Sequence, residues 1–257
     1  MNQIKRFLLK RMKAVDSFFH LSYSFYEVVT MSKQEYIAII GDIHDSRLIE
    51  NREETQKQLL ESLKQVNKKY QKELASKFSI SMGDSFQGLL DLNAPFMEII
   101  LDIELALLPV EIRFGIGIGE IATAIDSKNS QLNDGPAYHR ARRTIEWIEQ
   151  SEQQYATRKT NILLLSEQNE TESDRLINAI FALNTAIKSK WSDRQKEIIK
   201  AYLENNENQY DTAHALDIGQ SSVSKSLKST NFYTYKAAIE DVQNYMYKKA
   251  EGEMDNV

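Results

Sequence analysis

Two aspartates close strand-like runs in this chain, Asp42 in Tyr36-Ile-Ala-Ile-Ile-Gly-Asp42 and Asp84 in Phe78-Ser-Ile-Ser-Met-Gly-Asp84. A strand delivers a carboxylate rigidly to the edge of a sheet, and the glycine before it lets a ligand approach the backbone closely. Two carboxylates presented this way suit a divalent cation with phosphates. Magnesium prefers oxygen ligands and commonly takes one or two carboxylates, with phosphates and water completing its shell. Gly-Asp is also ordinary hairpin chemistry. It is the repetition of the pattern that favours the metal reading.

The rest of the composition narrows the chemistry. The chain has 257 residues, 42% hydrophobic and 27% charged, enough for one large core or two modest ones. Without cysteine it has no disulfide framework, thiolate zinc site or cysteine nucleophile, and a cytosolic location is expected. A net charge of -5 and a pI near 5.6 argue against coating nucleic acid non-specifically, which needs a broad basic surface. Residues 1–30 stand apart as a basic amphipathic stretch followed by an aromatic run, read here as an extension upstream of Met31. No segment reaches the length of a membrane-spanning helix, so no stable membrane insertion is expected.

The elements that must position the aspartates follow from periodicity. After the Tyr36–Asp42 strand, Leu48 to Leu74 has the spacing of an amphipathic helix. Strands at 78–82 and 86–90 flank Gly83-Asp84-Ser85, which places Asp84 at a hairpin tip. A second helix is bounded by Pro95 and Pro109, followed by strands at 112–118 and 121–125. A helix starting at Asp134-Gly135-Pro136 and a strand over 161–166 complete the front part. Six of the nine glycines fall between positions 41 and 119, where strands turn or a ligand would sit. The expected fold is α+β, a ferredoxin-like sheet with helices on one face, over residues 31–168. A connecting helix is expected within 169–190, an all-α domain over 191–250 and a tail over 251–257.

Asp42-Ile43, Gly83-Asp84-Ser85-Phe86, Arg113-Phe114-Gly115-Ile116-Gly117, and Gly135 followed by Ala141 and Arg143 occur in the order seen in class III nucleotidyl cyclases, which the front part resembles. Taken whole, the chain resembles the SatD family. The cyclase resemblance implies a palm-type sheet in which Asp42 and Asp84 hold Mg2+ or Mn2+, with the Ile43 carbonyl as a further ligand, and bind a nucleoside triphosphate or other nucleotide. Asp45, Ser46 and Arg47 sit where the chain enters the first helix, so backbone amides there, and Gly83 at the hairpin, would face phosphate oxygens. The resemblance places Arg143 as the transition-state arginine, which would neutralise charge on the transferred phosphate. It also places His139 where cyclases carry an asparagine, and Ile80 where purine-selective members carry a base-reading lysine. Ile80 cannot donate to or accept from a base. Lone histidines such as His139 and His44 are more often structural than catalytic, although His139 could still donate a hydrogen bond.

The C-terminal part reads differently. Tyr210 to Leu227 resembles a helix-turn-helix, with Ala213 at the helix crossing, Ile218 in the turn, and Val223 and Leu227 anchoring the second helix. Gln220, Ser221, Ser222, Ser224, Lys225 and Lys228 are the exposed positions that would reach bases and phosphates of DNA. Asp217 stands where the turn prefers glycine, and residues 191 to 231 carry five Lys or Arg against six Asp or Glu. The expected protein is a homodimeric regulator whose nucleotide-binding front controls a DNA-reading end. A palm-type cyclase or nucleotidyltransferase targeted by its helix-turn-helix, and a non-catalytic interaction scaffold, are the alternatives.

Overall fold

The computed structural model describes residues 34–46, 49, 51–155 and 160–252. The expected extension over 1–30 and Arg47 lie outside these residues.

Strand β1 (Tyr36–Ile43) leads to helix α1 (Arg52–Lys69), the hairpin β2 (Leu74–Met82) and β3 (Ser85–Asp91), helix α2 (Phe96–Ala106) and strand β4 (Ile112–Gly119). Helix α3 (Pro136–Tyr155) and strand β5 (Ile162–Leu165) follow. The five strands form one sheet in the order β2-β3-β1-β4-β5. β1 is antiparallel to both neighbours, and β5 joins β4 in parallel. The first four strands therefore have the split β-α-β arrangement expected from the motif order.

Two expectations are corrected. Residues 121–125 do not form a strand. Both edges of β4 are already occupied by β1 and β5, so the segment crosses instead to the loop before α3, where Ala122 N–H donates to the Asp134 carbonyl at 2.8 Å. Nor do the helices keep to one face. Ile37, Ile39, Phe114 and Ile116 pack with Leu59 and Leu63 of α1 and Ile99 and Ile103 of α2. Ala38, Ile40 and Leu89, pointing the other way by strand alternation, pack with Ala137, Tyr138 and Ala141 of α3. Gly115 and Gly117 explain this second layer. A Cβ on Gly115 would lie 2.2 Å from the Ala141 carbonyl oxygen, and one on Gly117 would lie 2.0 Å from that of Ala137. These glycines serve close approach of a helix to the sheet rather than a turn or a ligand.

Helix α4 (Glu172–Lys188) begins with a capping box in which Thr171 and Asp174 satisfy each other's backbone N–H groups. Ser192 and Gln195 repeat this device at α5 (Asp193–Glu204). Helices α6 (Gln209–Ala215), α7 (Gln220–Ser229) and α8 (Phe232–Ala250) complete the chain. The described residues from Glu35 on form one compact unit. Val223, Leu227, Phe232 and Val242 belong to the same apolar cluster as Ile37 and Phe114. At the junction the buried Gln243 amide accepts from Met97 N–H at 3.1 Å and donates to the Ala94 carbonyl at 3.1 Å. Among the described residues, no helix is long and apolar enough to cross a membrane.

Candidate functional site

Strand register builds the site. Asp42 stands opposite Ser85 on β3 and opposite Arg113 on β4, so its carboxylate is flanked from both sides. Ser85 Oγ donates to Asp42 Oδ1 at 3.0 Å, and Arg113 Nη1 donates to Asp42 Oδ2 at 2.9 Å. Asp42 and Arg113 side chains are only 17% and 11% exposed, which makes this a largely desolvated pair. The rest of the Arg113 fork is taken by Glu152 of α3, with Nη2 at 2.6 Å from Oε2 and Nε at 3.1 Å. Glu149 lies 3.6 Å from Nη1, and His44 Nε2 lies 3.5 Å from Glu152 Oε2.

Burial pushes the Asp42 carboxyl above its ordinary range. Ser85 and Arg113 oppose that shift, while the Asp84 charge adds to it. The two aspartates therefore feel each other's field. Burial would lower the Arg113 pKa, but Glu152 and Asp42 outweigh it and the net direction is up.

Asp84 sits in the two-residue turn of the β2–β3 hairpin, after Gly83 in the left-handed region at φ 60°. Its Oδ2 accepts from the Ser46 hydroxyl, and its carbonyl accepts from Ile43 N–H at 3.4 Å. Gln56 Nε2 donates to the Gly83 carbonyl at 3.0 Å, and Arg52 Nη2 lies 3.5 Å from where a Gly83 Cβ would sit. Helix α1 starts only at Arg52, with Asn51 at its N-cap, so Asp45 and Ser46 belong to a turn ahead of the helix rather than to its entry. Asp45 takes φ 49° there and lies 3.3 Å from His44 Nδ1.

The structure thus gathers Asp42, Ile43, Asp45, Ser46, Gly83 and Asp84 at one end of the sheet. His139 and Arg143 have other contacts. His139 Nε2 is 2.9 Å from Asp134 Oδ1, and Arg143 donates to the Gln168 carbonyl at 2.8 Å while stacking over Trp147. Sequence reasoning quoted Arg113 only as part of a motif and did not single out Glu152, Glu149, Arg52 or Gln56. Pairing the 36–42 and 112–118 runs end to end sets Asp42 opposite Ile112; the observed register lies one residue further on and brings Arg113 opposite Asp42.

A hard divalent cation fits this donor set. Two carboxylates with mutual repulsion, a neighbouring backbone carbonyl and hydroxyls offer the oxygen ligands it takes, and the positive charge would relieve the repulsion that helps raise Asp42. Asp42, Asp84 and the Ile43 carbonyl would hold it, and it would supply charge for binding phosphates. Among the described residues, no group of three or more histidine or acidic side chains converges as a complete cage, so ligand phosphates and water would fill the remaining positions.

In the C-terminal part, a turn over 216–219 joins α6 to α7, with Ile218 N–H donating to the Ala213 carbonyl at 3.0 Å and Asp217 at φ 51°. Aspartate tolerates this left-handed geometry, which explains its place in a glycine-like position. Val223 and Leu227 are buried, and Ser221, Ser222, Lys225 and Lys228 are exposed, with Gln220 and Ser224 half-buried. Gln220 Nε2 is engaged with Gln209 Oε1 at 2.6 Å.

The model of the SatD family matches residues 36–245, which spans both the sheet and the helical end. The chain belongs to the SatD family. No curated protein matches this chain. Among solved structures it is similar to a bacterial light-regulated adenylyl cyclase, at 16% identity and a TM-score of 0.35 over 61% of this chain and 56% of that one. A further structure of a bacterial light-regulated adenylyl cyclase gives 13% identity and a TM-score of 0.36, over 63% of this chain and 58% of that one. This chain therefore spans little more than half the length of these cyclase chains. It is also similar to a regulator of polyketide synthase expression from Bifidobacterium adolescentis, at 13% identity and a TM-score of 0.26 over 91% of each chain.

Proposed function

We propose that this SatD-family protein is a regulator whose sheet binds a nucleotide with a divalent cation at Asp42 and Asp84, and whose α6–α7 pair reads DNA. The observation that carries the first half is the convergence of Asp42, Asp84, Ser46, Ser85 and Arg113 at one end of the sheet. Carboxylates there attract the cation, Arg113 holds Asp42 in place, and Arg52 beside Gly83 offers donors to phosphate oxygens. For the second half, the exposed short polar and cationic side chains of α7, Ser221, Ser222, Lys225 and Lys228, suit phosphate and base-edge contacts.

A palm-type transferase is the second reading. Arg143 favours it, because this half-buried residue of α3 stands where the cyclase resemblance places the transition-state arginine. Within one chain, Arg143 and His139 are engaged with Gln168 and Asp134, which favours binding over turnover.

The test is thermal stability with each nucleoside triphosphate, with and without Mg2+, for the wild type and an Asp42→Asn, Asp84→Asn variant. Ligand at a hundredfold its dissociation constant adds about 2.7 kcal/mol of stability. A shift that needs both metal and the aspartates is expected; no shift with any nucleotide would refute the nucleotide site. For DNA, selection from a random-sequence library followed by Lys225→Ala should weaken binding and reduce the salt slope by about one. Failure to select any sequence would remove the DNA-reading role.

A further inference from the structure

Helix α4 turns an unusual face outward. Leu176 and Leu183 are 69% and 67% exposed, and Ile180 and Ile187 are half-buried beside them. The spacing of these four residues, four, three and four, is that of a coiled-coil seam. No charged residue occurs between Leu176 and Ile187. The opposite face of the same helix, Ile177, Phe181 and Asn184, is already buried within the chain, so the outer stripe is not needed for the core. Beside the stripe runs a groove of about 440 Å3 lined by Ile180, Leu183, Ile187, Trp191, Thr234 and Ala238. A contiguous exposed apolar strip of this kind marks an interaction surface.

We infer that this face binds a second copy of the chain, with the two α4 helices antiparallel about a two-fold axis. Two observations choose that occupant. First, the stripe is bounded by exposed Glu172 at one end and exposed Lys190 at the other. An antiparallel copy sets each against its opposite. Second, the axis that pairs Glu172 with Lys190 passes near position 181, and so sets Leu183 of one copy against Ala179 of the other and Leu176 against Ala186. Ala179 and Ala186 are exposed on the same face. Leu176, Ile180 and Leu183 thus each meet an alanine of the other copy, Ala186, Ala182 and Ala179, while Ile187 lies against the aliphatic stem of Arg175; large residues facing small ones give the self-complementarity an isologous interface requires.

Sedimentation velocity of the full-length chain tests this. The wild type should sediment as a dimer at micromolar concentration. Leu183→Glu should sediment as a monomer with its helical circular dichroism unchanged. Glu172→Lys and Lys190→Glu should each weaken association on the order of tenfold, since each variant places two like-charge pairs in the dimer. An equimolar mixture of those two variants should regain wild-type association as a heterodimer, because every end pair is then opposite in charge. If Leu183→Glu disturbs folding, the mixture decides alone. A monomeric wild type overturns the inference, including the case in which the chain's own first thirty residues cover the stripe. So does a folded Leu183→Glu variant that remains dimeric, or a mixture that associates no better than its components.

Discussion

Asp42 carries a charge that the fold makes costly, and this gives it a stability signature separate from ligand binding. Its carboxyl is raised by burial, so the neutral form is favoured in the folded chain. A group raised in this way contributes stability that is fully present below its unfolded value of 3.8 and is lost as pH rises through the folded value. At neutral pH the wild type has therefore lost that contribution. Asp42→Asn can keep its one oxygen toward Arg113 and donate its amide N–H to the Ser85 hydroxyl, which then accepts, and it sheds the buried charge. Its melting temperature should exceed that of the wild type by a few degrees at pH 7, and the gap should close as pH falls toward 4. Melts across that range check this; a variant less stable at pH 7 would show that the Arg113 pair outweighs burial. The two aspartates were legible from the sequence because each ends a run with a distinctive glycine. Glu152 was not, because its partnership with Arg113 spans 39 residues and depends on α3 lying across the sheet.

Among the elements, α3 depends on what β4 lacks. Gly115 and Gly117 leave the helix backbone room that a single methyl group would fill. Gly117→Ala should cost about 3 kcal/mol in urea denaturation, since either the helix or the strand must move. The same displacement would draw Glu152 from Arg113, so the variant should also lose any nucleotide-induced shift. The existence of these elements was legible in their periodicity. The helix expected within 169–190 runs from Glu172 to Lys188, its start fixed by the Thr171 cap. The 121–125 run was misread because alternation alone cannot tell a strand from a loop crossing, and only the filled edges of β4 decide between them. The glycines misled similarly: a residue without a side chain marks close approach, but not of what.

At the scale of the whole molecule, the sheet and the helical end meet through Gln243, whose partners lie about 150 positions earlier in the chain. No local pattern in the sequence encodes that meeting. Within the helical end, the Trp191 indole N–H donates to the Thr230 carbonyl at 2.8 Å and its ring packs edge-on against Tyr235. Calorimetry of the wild type should show one transition for the sheet and helices together, because one apolar cluster runs through both. Gln243→Leu leaves Met97 N–H without its acceptor and removes one of the two donors to the Ala94 carbonyl, which still accepts from Phe96 N–H, at a cost of roughly 1–3 kcal/mol. It should lower the midpoint of that transition; two separated transitions in the wild type would contradict a shared core. The Gln243 amide grips with both its oxygen and its nitrogen, so α8 has no swivel where it leaves the start of α2. Motion of the chain just past β3 would reach α7 as displacement of a rigid arm, whereas a slack tether would absorb it.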